Sequence, residues 1–339
     1  MNLVGHRILV TGATGFVGRH LTRALVEAGA QVTCLVRASS CTAKLPQGVR
    51  TVQACLCTGH GLDQALQGQD TLIHMAALLF GLGWQDYLHS NARAAQCLAQ
   101  ALRTYGGHIR RVVLVSSLAA TGPAATGAGV EDDTPPAPVS AYGWSKYMTE
   151  QILGAALGQR MVTVRPPIIY GSGDRGLLPY FQAARKGFVV CPGSGHFPVS
   201  AVHVHDMVQA LLLCLHENAH GIYHLDDGAQ HTMPAIGRAI AAALHAGSAR
   251  PFRAPRIIPV PLWIMGAAAH LAGLWGHVAV RMGRRAPSWN PDKYREACQE
   301  GWLCNSKRIA RELGYSPTIS LEQGMAEAVA GYRQEGWIS

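Results

Sequence analysis

The chain of 339 residues is poor in charge, with Asp, Glu, Lys and Arg together at 14%, and poor in aromatics at 7%, while hydrophobic residues reach 48%. So little charge beside so much apolar content excludes a disordered chain and a charge-laced coiled coil. Acidic residues are the scarcer sign, 20 against 29 Lys and Arg, for a formal charge of +9. No run of five Lys or Arg occurs and the arginines are scattered from Arg7 to Arg333, so no nucleic acid partner is expected and a small anionic ligand suits the excess better. CxxC pairs are absent; Cys55 and Cys57 stand one residue apart, a spacing for neither a zinc knuckle nor a redox pair, and the nine cysteines read as reduced thiols. There is no HExxH, and His203 and His205 share a strand face without an evident third ligand, so no metal is expected. Residues 1–10 lack the n-region, apolar core and cleavage site of a secretion signal, which makes a cytoplasmic location the expectation. No repeat or low-complexity tract appears, and the length suggests two domains or one large α/β unit with an appended lobe.

What is present alternates. Arg7 to Val10 is a short β-rich run, Thr11 to Gly18 is punctuated by glycine, and Phe16 to Ala28 carries apolar residues at helical spacing. Further strands are predicted at Gln31 to Val36, Thr71 to Met75, Arg111 to Ser116 and Val162 to Arg165, with helices over Asn91 to Tyr105 and Ala141 to Leu157. Such alternation predicts a parallel sheet covered by helices on both faces. From Pro166 the pattern loosens and Pro and Gly thicken, as in a loop-rich lobe over a site. Val199 to His216 reads as strand then helix with Asp206 as its N-cap, a return to the first domain. The boundaries expected are a dinucleotide-binding domain over 1–165, rejoined by 199–228, and a substrate-binding lobe from 166–198 and 229–339.

Gly12, Gly15 and Gly18 fall at i, i+3 and i+6 between a predicted strand and a predicted helix. Glycines there allow a tight turn and close backbone approach to a pyrophosphate, which the helix N-terminus also attracts. Thr11, Gly12, Thr14, Gly15, Phe16, Val17 and Gly18 are therefore candidate cofactor residues. An NAD site usually ends the second strand with an acid on the ribose, but this strand ends Leu35-Val36-Arg37. Arg37, with Ser39, Ser40 or Lys44 nearby, can instead meet a 2′-phosphate, which favours NADP(H) and keeps NAD(H) open. The plain alternative is Arg37 as a solvated strand-end residue.

Tyr142 and Lys146 stand at i and i+4 on one helix face, after a strand that ends Ser116-Ser117. A lysine cation within about 4–6 Å lowers a tyrosine pKa by about 1–3 units and makes Tyr142 usable for proton transfer. These motifs resemble the short-chain dehydrogenase/reductase superfamily, extended type (the NAD-dependent epimerase/dehydratase family). The resemblance runs over nearly the whole chain, through TGATGFVG, YGWSK, Arg165-Pro-Pro-Ile-Ile-Tyr-Gly171, Val202-His-Val-His-Asp206, Trp302-Leu-Cys and Leu313-Gly-Tyr-Ser-Pro317. It implies a Rossmann-type doubly wound parallel sheet with a smaller C-terminal substrate-binding lobe. It also implies that Ser117 orients the substrate oxygen, that Tyr142 transfers the proton, and that Lys146 lowers its pKa and holds the nicotinamide ribose. Pro166 and Ile168 would lie by the nicotinamide, Ala76 and Ala77 by the adenosine, and Asn91 on a buttressing helix. A homodimer is a further implication.

Three positions depart from the family pattern. Ala54-Cys55-Leu56 replaces the usual Gly-Asp-Leu, Val199 stands where sugar-nucleotide members place a diphosphate-binding arginine, and Ile168 replaces their asparagine. A nucleotide sugar is thereby disfavoured, since each missing charged hydrogen bond costs about 1.5–3 kcal/mol. Leu78 to Trp84 is an apolar segment where substrate should lie, giving Leu79, Phe80 and Trp84 as candidate substrate contacts beside Ser117, with ordinary core packing as the alternative. Ile257 to Val280 carries no Asp, Glu, Lys or Arg, between Arg250, Arg253 and Arg256 and Arg281, Arg284 and Arg285. It reads as a buried part of the lobe, a lid or interfacial helix in peripheral membrane contact, or a span, and resembles the same segment of the 3β-hydroxysteroid dehydrogenase-like branch. The expected activity is alcohol/ketone interconversion on a small lipophilic substrate such as a steroid or triterpenoid. The alternatives are a sugar or nucleotide-sugar epimerase/dehydratase with tightly held cofactor, and a non-catalytic dinucleotide-binding scaffold.

Overall fold

A computed structural model describes residues 2–125, 127–246, 252–284 and 286–338; Arg250 and Arg285 of the basic flanks lie outside them. The chain runs β1 (Arg7–Thr11), α1 (Phe16–Glu27), β2 (Gln31–Val36), β3 (Arg50–Gln53), α2 (Leu62–Leu66), β4 (Thr71–His74), α3 (Trp84–Tyr87), α4 (Ala94–Tyr105), β5 (Arg111–Val115), α5 (Leu118–Thr121), α6 (Ala141–Leu157) and β6 (Met161–Arg165). It continues with β7 (Ile168–Tyr170), α7 (Leu178–Arg185), β8 (Phe188–Pro192), β9 (Pro198–Val199), β10 (Ala201–His203), α8 (Val204–Leu213), β11 (Gly221–His224), β12 (His231–Thr232), α9 (Met233–His245), β13 (Arg256–Val260), α10 (Leu262–Arg281), α11 (Pro291–Ala297), α12 (Lys307–Leu313) and α13 (Leu321–Gln334).

Seven strands form one parallel sheet in the order β3-β2-β1-β4-β5-β6-β11. Its strands are short and apolar because both faces are covered. One face packs on α1, α8 and α12 through Val10, Leu21, Leu25, Met207, Leu211 and Ile309. The other packs on α2, α4 and α6 through Leu9, Leu66, Leu98, Leu102, Leu114 and Leu153. The order reverses between β1 and β4, and in such sheets ligands bind outside the carboxyl ends of the strands at that reversal. A second core gathers α7, α9, α13 and β8 around Phe181, Val189, Ile240, Met325 and Tyr332.

Two expectations change. Asp206 is not the N-cap of α8: His203 caps it, its ring accepting from His205 N. Asp206 is buried inside the first turn and instead accepts from Thr318 N, Thr318 Oγ1 and Ile319 N, fastening the segment before α13. The helix expected from Asn91 begins earlier, at Trp84, and passes through a π-helical stretch at Leu88–Arg93 before α4. All nine cysteines are free.

Candidate active site

The glycine turn joins β1 to α1. Gly12 has φ +77°, and a Cβ there would lie 2.9 Å from Ala76 N; one on Gly18 would lie 2.1 Å from Gly12 O. Only glycine lets the turn close this tightly on both the neighbouring loop and its own helix. No side chain caps the N-terminus of α1, which starts at Phe16 and Val17 behind Gly15 and the half-buried Thr14. Thr11 Oγ1 meets His74 Nδ1 at 2.7 Å and accepts from Met75 N and Ala76 N, so the Ala76-Ala77 turn is tied to the end of β1. These residues fit a pyrophosphate and its adenosine: the backbone is bared where a Cβ would fill the cradle, with a helix N-terminus behind it. Ser116 Oγ, at the end of β5, is buried without a hydrogen-bond partner.

Arg37 follows β2 at the same edge and is exposed, its backbone N donating to Ser40 Oγ at 3.1 Å. Lys44 does not join it as expected. It is ion-paired with Glu335 beyond α13, because the C-terminal segment folds back across that loop.

The proposed reacting groups meet at the carboxyl ends of β5 and β6. Ser117 heads α5, its hydroxyl accepting from Ala119 N at 3.1 Å and lying close enough to the Tyr142 phenol to favour its ionised form. Leu118 N donates to Pro166 O at 2.8 Å, which locks the Ser117 turn to the end of β6, and Ile168 opens β7 two residues later. Lys146, one turn below Tyr142 on α6, is buried and donates from Nζ to Val115 O at 2.7 Å. Asn91 bridges the site wall: its Oδ1 accepts from Leu78 N at 2.8 Å and its Nδ2 donates to Ser145 Oγ at 2.9 Å.

The electrostatics correct one expectation. Burial pushes the Tyr142 phenol above its usual range, opposed by the nearby Ser117 hydroxyl and reinforced by Glu296. Lys146 is not among the groups acting on it; its ammonium donates to the Val115 carbonyl. Burial lowers Lys146 itself to about 8. Burial, with help from the Lys146 charge, takes His74 down to about 3.

Several supporting residues had escaped the sequence reading. Asp292, on α11, accepts from Ala141 N at 2.6 Å and Tyr142 N at 3.1 Å, placing a buried carboxylate on the N-terminus of the helix that carries the tyrosine. Ser140 caps the same helix and donates to Glu296 Oε1 at 2.6 Å. Lys293 Nζ lies 4.4 Å from the Tyr142 ring centroid and 5.8 Å from that of Phe80. Behind the site, Arg165 makes a two-pronged ion pair with Glu150, and its guanidinium also donates to Thr121 Oγ1. Apart from Arg165, which opens the Arg165 to Gly171 motif, no spacing motif marks these. Of the apolar candidate substrate contacts, Phe80 faces Lys293, Leu79 is 52% exposed, and Trp84 is the first residue of α3 and 43% exposed rather than a loop residue. Tyr87 donates to Leu79 O and accepts from Gly81 N, shaping the loop from inside.

His203, His205 and Glu327 come together with ligand-type atoms within 4.8 Å of one another, so the fold supplies the third group that the sequence had not shown. Glu327 Oε2 lies 3.5 Å from His203 Nε2 and 3.7 Å from His205 Nδ1.

A doubly wound sheet with a bared glycine turn and a serine, tyrosine and lysine at its carboxyl edge defines a dinucleotide-dependent oxidoreductase of the extended short-chain dehydrogenase/reductase type. The model of the NAD dependent epimerase/dehydratase family matches residues 8–225, and the chain belongs to that family. It is similar to the ceramide reductase of Caulobacter vibrioides, 30% identical over 98% of this chain and 96% of that one. It is also similar to sterol demethylase protein B of Methylococcus capsulatus, 31% identical over 97% of this chain and 99% of that one. The UDP-glucose 4-epimerase of Thermus thermophilus, solved with NAD, shares the fold at a TM-score of 0.75 and 23% identity, over 96% of this chain and 99% of that one.

Proposed function

We propose that the protein reduces a ketone to a secondary alcohol on a lipophilic substrate of steroid, triterpenoid or sphingoid kind, with NADP(H) preferred. The observation that carries this reading is the setting of Tyr142: a buried phenol beside Ser117, packed with Tyr87, Ala119, Ala141, Leu78 and Trp302. A protonated phenol is in the state that gives a proton to a carbonyl oxygen, which is the form from which the reductive direction starts. Ser117 would hold that oxygen, and Lys146 the ribose of the dinucleotide. A bound nicotinamide dinucleotide supplies the electron pair. Arg37 at the end of β2, with no acid at Val36, supports the 2′-phosphate form. Support for a lipophilic substrate comes from the apolar wall and from the two relatives, named for ceramide and sterol chemistry. Val199, buried at 7% exposure in β9, offers nothing to a nucleotide diphosphate, which counts against the epimerase alternative.

The test follows nicotinamide absorbance with NADPH and NADH against ketosteroids, a keto-sphingoid, simple lipophilic ketones and nucleotide sugars. Turnover of a lipophilic ketone is expected, and Tyr142→Phe should lower it about 10²–10⁴-fold while dinucleotide affinity holds. Activity only on a nucleotide sugar, or undiminished turnover by Tyr142→Phe, would reject the reading.

A further inference from the structure

The helix α10 is apolar on the wrong side for a core helix. Its inward stripe is small: Gly266, Ala269, Gly273, Gly276 and Ala279 are buried. Side chains from the body fill the space those residues leave open. A Cβ on Gly266 would lie 2.8 Å from the Tyr294 ring, and one on Gly276 would lie 2.5 Å from Leu82. The outward face is bulky, with Trp263 73% exposed, Leu271 and Leu274 67%, Trp275 56% and Met282 63%. A helix that buried itself in a core would place these residues inward. Of the three readings open for the apolar run, burial in the lobe is thereby excluded: Arg256–Val260 is a strand paired with β8, and the helix after it holds its large side chains in solvent.

Charge points to the occupant. No Asp or Glu occurs between Asp227 and Asp292, whereas Arg253 and Arg256 precede the helix, Arg281 ends it and Arg284 follows, all four exposed. A face of Trp and Leu between clustered arginines complements an anionic lipid surface: the apolar side chains enter the headgroup boundary and the guanidinium groups meet phosphates. The inward stripe, packed along the length of the helix on α11 and the Leu82 loop, holds the helix against the body and so favours lying on a bilayer over crossing it. The same packing reaches the site. Asn290 Nδ2, at the start of α11, donates to Gly81 O at 3.1 Å, and Lys293 of α11 lies over the Tyr142 ring.

We propose that α10 docks the protein on an anionic phospholipid bilayer, with the apolar loop 78–83 beneath it as the path by which a membrane-dissolved substrate reaches Tyr142. The docking stands on the helix alone; the path rests on the function proposed above. Flotation of the full-length protein with vesicles of phosphatidylcholine and phosphatidylglycerol in equal parts, against phosphatidylcholine alone, tests the docking. Binding to the anionic vesicles is expected. Combined Leu271→Gln, Leu274→Gln and Trp275→Gln should weaken it at least about tenfold. Arg281→Gln with Arg284→Gln should remove most of the anionic preference, at about fivefold per arginine. Three results would overturn the docking: a wild-type protein that stays out of the vesicle fraction, binding undiminished in the triple variant, or binding that survives an alkaline wash, which marks a span. A dimer that dissociates in the triple variant, without vesicle binding, would overturn it in favour of a second copy of the chain. Vesicle binding without turnover of any lipophilic ketone would reject the proposed function and leave the docking standing. For the path, turnover of a vesicle-embedded ketone should fall in the triple variant while that of a detergent-dispersed one is kept; equal loss of both rejects it.

Discussion

Asp292 offers the sharpest test of how the site is held. Its carboxylate takes two backbone N–H groups, Ala141 at 2.6 Å and Tyr142 at 3.1 Å, from another element 150 residues away in sequence, and it is 5% exposed. A hydrogen bond to a charged group is worth about 1.5–3 kcal/mol, and a helix N-terminus adds about 0.3–1 kcal/mol for an anion. Against this stands the cost of burying the carboxylate, so Asp292→Ala should lose about 2–4 kcal/mol in all. Because the lost contacts end at the residue that moves the proton, part of that loss should appear as misplacement of the phenol. Were all of it expressed in the barrier, kcat would fall about 30-fold to 1000-fold. Asp292→Asn, which keeps an acceptor and loses the charge, should fall between. The assay is kcat with the best ketone beside dinucleotide affinity and a urea unfolding curve on the same preparations. Dinucleotide affinity should hold, since Asp292 touches nothing at the glycine turn. Stability and kcat both unchanged, within the roughly 0.5 kcal/mol of an ordinary surface substitution, would refute the argument that this carboxylate positions Tyr142.

Two further outcomes follow from the charges. Arg37→Ala should weaken NADPH about 10-fold to 100-fold, the worth of one charged hydrogen bond, and NADH only slightly, read by fluorescence titration of each; equal losses would remove Arg37 as the selector. His74 has its folded pKa lowered from 6.5 to about 3, so between those values the unfolded chain binds a proton that the folded one refuses. Stability therefore falls as pH drops through that window, by at most about 1.4 kcal/mol per pH unit from this group. His74→Asn should lessen the acid loss between urea curves at pH about 6 and about 4.5, and an identical loss in the variant would mean the ring is not the group responsible.

What could be read from the sequence was whatever the chain encodes locally. The glycine turn, α1, the span of α6 and the pairing of Tyr142 with Lys146 each lie within one or two turns of backbone, and periodicity with spacing was enough for them. Contacts between distant segments were not legible in that way. Asp292, Lys293 and Glu296 reach α6 across some 150 residues, and nothing in α11 distinguishes them from an exposed charged turn. Lys44 looked free beside Arg37 because its partner Glu335 is near the other end of the chain. The Tyr142 pKa moves up rather than down for a related reason: an i, i+4 spacing puts Lys146 on the right helix face but says nothing about the burial that dominates the phenol. The run 257–280 marks the limit most clearly. Hydrophobicity announces that some surface must be kept from water, whereas only packing shows which face is already covered. In α10 the covered face is the one made of glycine and alanine, so the large side chains that make the run apolar are the ones left in need of a partner.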